Sequence, residues 1–492
     1  MATKIPTEIL FKILNNLQSP FSTQDLYSSL LVNRFWCKVT IPMLWELPLG
    51  QDCMDYNNLR KKALCIRTYL SCMDTQARTL LIQNGFDLSS SPSQAIFDYP
   101  SFTHKLRTDN LIYFISRYSE VDDNSNNEII ITKSRILFLE ICKLIINRCS
   151  FLDSFKLTRV KFFIVNVHIY NDLIGSILEL PSAPKVIKKL ESFTLLIEDN
   201  ELIFPLYESL TLVCDNILNM DLEFNSYSQA KLLAKLISVQ KYLEDLSIVV
   251  SDYKIDYLSI LLSIISQKET LKSFRLRSVS FYYSEWKSLP IGQFISLQNL
   301  YIENCFGLHE SDNLFFASSF PQLSSFHFRH IHDRFPQDFI IKIFETSNTK
   351  LRDVYLNSLT TDTFLAILNY CTNITKLTLH DLRPEHVIAI FNNNFNELRR
   401  FSFDCGGEGF DANELLCQMA KNVPESLETI EIRMGIFSAD SLRKFLEGWC
   451  RKGGGGNRKI IVRRMEQERL FTLSDEHFKV IEEYGVQIDL EE

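Results

Sequence analysis

The chain predicts an α/β solenoid, built from parallel inner strands and outer helices and preceded by a small helical module. Three observations carry that expectation. A short apolar pattern recurs along most of the 492 residues. Residues at helical spacing fill the intervals between its copies. The first 45 or so residues have a different texture, dense in apolar and helix-capping residues and holding two of the four tryptophans.

The recurring pattern is an apolar residue, two variable positions, an apolar residue, one variable position and a further apolar residue. Its first position falls at Leu152, Leu190, Ile217, Leu243, Leu271, Leu297, Leu323, Leu351, Ile374, Leu398 and Leu427. After an initial gap of 38, the steps run between 23 and 29 residues, the period of strand–helix repeat arrays. The last residues of each copy alternate outward and inward, as a half-buried strand must. Between copies, stretches such as Asp256–Ser266 and Thr361–Tyr370 place apolar residues at helical intervals. Asp362 and Asp411 are expected to cap such helices. A strand, a helix and a strand in the same direction give a parallel sheet. A single unit cannot bury both its faces, so the units stack.

Over roughly residues 150–450 this pattern resembles the leucine-rich repeats of the ribonuclease-inhibitor-like, α/β-horseshoe kind. Phe often stands where that family has Leu, and the Asn or Cys after the strand is mostly missing, with Asn304–Cys305 its clearest survivor. Residues 451–492, with Ile460–Val462 and a helix expected over Ser474–Tyr484, close the array.

Ahead of the repeats, Ile9, Leu10, Ile13, Leu14 and Leu17 form one apolar stripe on a helix entered through Pro6 at its first position. Ser22–Asp25 resembles a capping box for a second helix carrying Leu26, Leu30 and Leu31. Asn33 is placed to cap a third, which Pro42 is expected to end. These residues resemble the F-box. The matching positions are Ile5-Pro6, Glu8-Ile9, Ile13, Leu17, Asp25-Leu26, Val32-Asn33-Arg34-Phe35-Trp36 and Leu44-Trp45. Ile5 replaces the usual Leu and Asn33 the usual Cys. The resemblance implies a three-helix unit over residues 1–48 that docks on the Skp adaptor and, through it, a cullin. It also implies that Pro6, Ile9, Ile13, Leu26, Leu30 and Val32 meet the adaptor, with Trp36 helping to shape the surface. A plain helical cap on the repeat array would show the same apolar stripe. Residues 49–150 read as a helical linker, with helical stretches over 59–70, 109–119 and 135–147 and loops at 89–92 and 122–128.

The net charge of −8 and pI near 5.7 weigh against a nucleic-acid binder. Twelve cysteines occur without any C-x-x-C spacing and are expected to be reduced and mostly buried. The amino terminus lacks the apolar stretch of a signal peptide, and the longest uncharged apolar run is about half the ~20 residues that cross a bilayer. An intracellular protein, cytoplasmic or nuclear and without a membrane partner, is the expectation.

Candidate chemistry is sparse. His327, His330 and His332 do not share a face that would gather them on one metal, so no metal site is expected. Gly406–Gly409 and Gly453–Gly456 lack the neighbours of a phosphate-binding loop. Hydrolase, zinc-protease and kinase signatures are absent, and no cofactor is implied. Outward strand positions form a column from Ser273, Arg275 and Arg277 to Thr429, Glu431 and Arg433. Within it Arg275, Arg277, Tyr301, His327, Arg329, Tyr355, His380 and Arg400 are the candidate target-binding residues, since Tyr and Arg dominate interface hot spots. The expectation is a non-catalytic substrate-recognition subunit of a cullin-based ubiquitin ligase. The alternatives are a repeat scaffold with no ligase role and an enzyme whose site lies in the linker.

Overall fold

The computed structural model describes all residues except 1–4, 18–23, 50–58, 89–94, 121–126, 159–174, 176, 178, 197–203, 251–257, 283–290, 309–319, 331–334, 394, 405–411, 434–436, 453–457, 464–472 and 492. The loops and glycine runs expected at 89–92, 406–409 and 453–456 lie outside the described residues, as do Asp411 and most of 122–128. Contacts divide the chain into two compact units, Met1–Leu243 and Glu244–Glu492.

The first unit begins with three short helices: α1 (Thr7–Leu17), α2 (Gln24–Leu30) and α3 (Arg34–Trp45). Leu10, Leu14, Leu26 and Met43 make their core, with Ile5, Trp36, Val39 and Leu44 packed against it. Asn33 caps α3 as expected: its side-chain oxygen accepts from the backbone N–H groups of Phe35 at 2.9 Å and Trp36 at 3.0 Å. Two expectations are corrected. Pro6 stands one residue ahead of α1, its carbonyl accepting from Ile9 and Leu10, because the cap residue supplies the first acceptor. Pro42 lies inside α3 rather than ending it, at the cost of one backbone hydrogen bond.

The linker supplies α4 (Leu59–Cys72), α5 (Thr75–Gln83), α6 (Thr108–Glu120) and α7 (Asn127–Arg148). It also holds a strand that the sequence reading missed, β1 (Lys105–Arg107). The array therefore begins before residue 151. Three further parallel strands follow in order, β2 (Ser154–Thr158), β3 (Ser192–Leu196) and β4 (Asn219–Phe224). Their helices are α8 (Ala183–Ile187), α9 (Phe204–Val213) and α10 (Tyr227–Ser238).

One hydrogen-bond device recurs between neighbouring repeats within a unit. The carbonyl just before a strand accepts from two successive N–H groups of the following repeat, as His104 does from Asp153 and Ser154. At β1 that carbonyl belongs to Glu46, at the end of α3, which accepts from His104 at 3.2 Å and Lys105 at 3.0 Å. The helical module is thus tied to the array by the contact that ties one repeat to another. Lys105 adds an ion pair with the Glu46 carboxylate, and the buried Asn110 amide donates to the Leu49 carbonyl at 3.0 Å.

Among its described residues the second unit holds ten parallel strands in sequence order. They are β5 (Asp245–Val250), β6 (Ser273–Arg277), β7 (Asn299–Glu303), β8 (Ser325–Arg329) and β9 (Asp353–Leu356), then β10 (Lys376–Leu379), β11 (Arg400–Asp404), β12 (Thr429–Arg433), β13 (Lys459–Arg463) and β14 (Gln487–Glu491). Helices between them are α11 (Leu258–Ile265), α12 (Gln337–Ser347), α13 (Thr361–Tyr370), α14 (Pro384–Asn392), α15 (Asn413–Met419), α16 (Ala439–Lys452) and α17 (Asp475–Glu483). Thr360, not Asp362, caps α13: its hydroxyl accepts from Thr363 N–H at 3.2 Å, which leaves Asp362 in the first turn. Where α16 passes the end of α15, any side chain at Gly448 would collide with the Ala420 carbonyl.

From β2 to β12 every strand starts two residues after the first apolar position of the sequence pattern. That first residue and the two inward strand residues are buried throughout, as with Leu271, Phe274 and Leu276. Each such side chain contributes about 1.5–3 kcal/mol of burial. Stacked in register within the second unit, they form a core between strands and helices.

Candidate functional site

Two surfaces are candidates for function, one on the amino-terminal helices and one on the outward face of the second unit's strands. On α1 the apolar stripe splits. Leu10 and Leu14 point into the core, while Ile9, Ile13 and Leu17, spaced four residues apart along one line, are exposed. Val32, Leu31 and Phe35 are also exposed around the turn into α3, Leu31 at 88%. Of the residues expected to meet an adaptor, Pro6, Ile9, Ile13 and Val32 are thus open, and Leu30 and Trp36 are half-buried. Leu26 is not available: it is 1% exposed and belongs to the module's core. The exposed Phe11 and Tyr27 were not singled out by the sequence reading, and Leu31, expected on the second helix, lies in the turn just after it.

On the strand face, the register places middle positions of neighbouring strands side by side: Arg275 with Tyr301, Tyr301 with His327, and His327 with Tyr355. The side chains form a continuous row. The Arg275 guanidinium lies 4.5 Å from the centre of the Tyr301 ring. Tyr301 meets His327 edge-on at 4.7 Å, His327 stacks on Tyr355 at 5.6 Å, and Tyr355 meets His380 at 5.4 Å. All five are half-buried. Ring and cation contacts of this kind add about 0.5–1.5 kcal/mol each beyond burial.

Carboxylates orient the row. Arg275 Nε is 3.8 Å from Glu303 Oε1. Asp353 Oδ2 lies 3.2 Å from His327 Nε2 and 3.0 Å from Lys376 Nζ. Burial works against ionising Asp353, but hydrogen bonding and charge from His327 and Lys376 outweigh it and hold the carboxyl below the usual range. Asp404 bonds His380 Nδ1 and accepts from Asp381 N–H at 2.7 Å. Arg277 donates to Ser247 Oγ at 3.0 Å, and Arg329 and Arg400 are exposed. The structure therefore gathers Arg275, Tyr301, His327, Tyr355 and His380 into one row, with Arg277, Arg329 and Arg400 beside it. The three acids stand in the same outward column of the sequence, but which base each would meet is a matter of side-chain geometry.

The remaining candidates are quieter. His330 stacks on Phe328, and its backbone is clamped by the Asn357 amide through two 2.7 Å hydrogen bonds; His332 lies outside the described residues. Among the described residues no group of three or more His, Cys, Asp or Glu is placed to hold a metal. An open cleft of about 820 Å³ between α5 and α7 is lined by Asp74, Glu140, Lys143 and Arg148 among others, and by no His, Cys or Ser. Asp74 caps α5, and Glu140 pairs with Lys143 at 2.8 Å. Cys142, Cys149, Cys214, Cys305 and Cys371 are buried thiols. No helix among the described residues is long and apolar enough to cross a membrane.

The class that emerges is an α/β repeat protein of stacked parallel strand–helix units. No family model matches the chain, and no curated protein matches it. Among solved structures it is similar to a chain of the Rad7 and Elc1 complex in yeast, with TM-score 0.37 and 14% identity over 74% of this chain and 91% of that one. A likeness that loose carries no argument about function.

Proposed function

We propose that this chain is a non-catalytic substrate-recognition subunit of a cullin-based ubiquitin ligase. In this reading the F-box-like module docks on the Skp adaptor and the strand face of leucine-rich repeats holds a target protein. The observation that carries it is the split of α1. A module with its own core of Leu10, Leu14, Leu26 and Met43 still leaves Ile9, Ile13 and Val32 in solvent. Exposed apolar side chains grouped on one small module mark an interaction surface. The module is tied through Glu46 to β1, the first strand of its own unit. Ubiquitin transfer would then be accelerated by proximity alone, with no residue of this chain performing chemistry.

The test is co-expression of the full chain with the Skp adaptor, followed by size-exclusion chromatography. A complex is expected from the native sequence, and it is expected to be lost in the Ile9→Asp, Val32→Asp double variant while the circular dichroism melt is unchanged. A folded chain that forms no complex would falsify the adaptor role and leave a repeat scaffold. Leu26 is unsuited to this test, because a charge there would disrupt the core.

A further inference from the structure

On β7, β8 and β9 the middle outward positions are Tyr301, His327 and Tyr355, side by side in register and half-buried. On β10 and β11 the same position holds Thr378 and Ser402, only 6% and 1% exposed, so at this position the open rings stop at Tyr355. Strands about 4.8 Å apart set the two tyrosines roughly 9.6 Å from each other. A polyproline II helix repeats its face every three residues, about 9.3 Å. Neither phenol hydroxyl has a hydrogen-bond partner among the described residues, and the carbonyls of a polyproline II helix have no internal one. Beside the row, Glu303 is set against Arg275, and Asp353 against His327 and Lys376. Arg329, two residues beyond His327 on β8, is exposed and forms no ion pair among the described residues.

We propose that this row takes a proline-rich segment of the target in polyproline II form, running across the strands with an acidic residue between its anchoring prolines. Prolines three residues apart lie on Tyr301 and Tyr355, with His327 as the floor between them, and the phenols donate to the segment's carbonyls. With three residues per turn, the two intervening side chains diverge to either side of the row. One of those sides holds Arg329, where a Glu of the segment meets its charge. Aromatic surfaces favour such helices because the ligand is already ordered before it binds. The proposal rests on the strand face being the target surface and adds the chemistry of what binds there.

The experiment is fluorescence anisotropy of the full chain with a fluorescein-labelled peptide of four Pro-Glu-Pro repeats, alongside Gly-Glu-Gly and Pro-Gln-Pro versions. The Pro-Glu-Pro peptide is expected to bind roughly tenfold or more tighter than the Gly-Glu-Gly peptide of equal charge. That preference is expected to vanish in Tyr301→Ala, Tyr355→Ala. The preference for Glu over Gln is expected to vanish in Arg329→Glu, a solvent-facing change that leaves the melt unchanged even if the tyrosine variant melts early. Equal binding of the Pro-Glu-Pro and Gly-Glu-Gly peptides overturns the proline-rich ligand. A proline preference that survives in a folded tyrosine variant overturns the placement on the row, and a Glu preference that survives charge reversal overturns the role of Arg329. Failure of every peptide to bind overturns the proposal as a whole, while complex formation with the Skp adaptor, read separately, decides the receptor reading.

Discussion

Asp353 sits between two bases on the strand face, and its depressed carboxyl pKa links the fold to pH. A carboxyl whose folded pKa lies below its unfolded value of about 3.9 contributes stability above that value. The contribution is lost as pH falls through the folded pKa. Thermal melts should therefore show the native chain more stable than Asp353→Asn at pH 6, with the gap closing below about pH 4. A gap that widened in acid would mean that burial, not His327 and Lys376, governs this group. The buried thiols make a second residue-scale case. Burial pushes Cys149, Cys214 and Cys305 up to about 12, and Cys142 and Cys371 higher still. The thiolate is the reactive form, so iodoacetamide at pH 8 should leave these five unmodified in the native chain, as read by peptide mass spectrometry. Labelling at the rate seen in guanidinium would contradict their placement.

The elements differ in how far the sequence announced them. Strands β2 to β12 were legible because each repeats the same three apolar positions, and Ile460–Val462 of β13 was read as a closing strand. The two unread strands have a polar residue or glycine where the first apolar position belongs, Thr103 before β1 and Gly485 before β14. Both serve at the ends of the array, where less apolar surface is to be covered. In the amino-terminal module the helices were legible but the division of α1 was not. Ile9, Leu10, Ile13, Leu14 and Leu17 spread across a stripe broad enough to serve a core and a surface at once. Only the position of α3 decides that Leu10 and Leu14 face inward. The strand face was legible in its alternation and register, whereas the pairings of Glu303, Asp353 and Asp404 depend on rotamers. Asn33 tests the module at this scale. Its cap satisfies two N–H groups at the start of α3, and Asn33→Ala should cost about 0.5–2 kcal/mol in urea unfolding. A loss near zero would mean that α3 is held by its packing alone.

At the scale of the whole molecule, the described residues combine a small helical module with fourteen strands, which in the proposed function would divide the labour of a receptor. The repeats provide a broad, pre-formed face whose rings and bases are held by neighbours, so little order need be gained on binding. The module provides apolar side chains that its own core does not use. Calorimetric titration of the Skp adaptor into the full chain tests this account most directly. The account predicts saturable binding near one adaptor per chain, with the negative heat-capacity change of apolar burial. It also predicts that Ile9→Asp with Val32→Asp removes the binding, while Arg329→Glu leaves it intact. Absence of heat from folded protein, or binding indifferent to Ile9 and Val32, would contradict it.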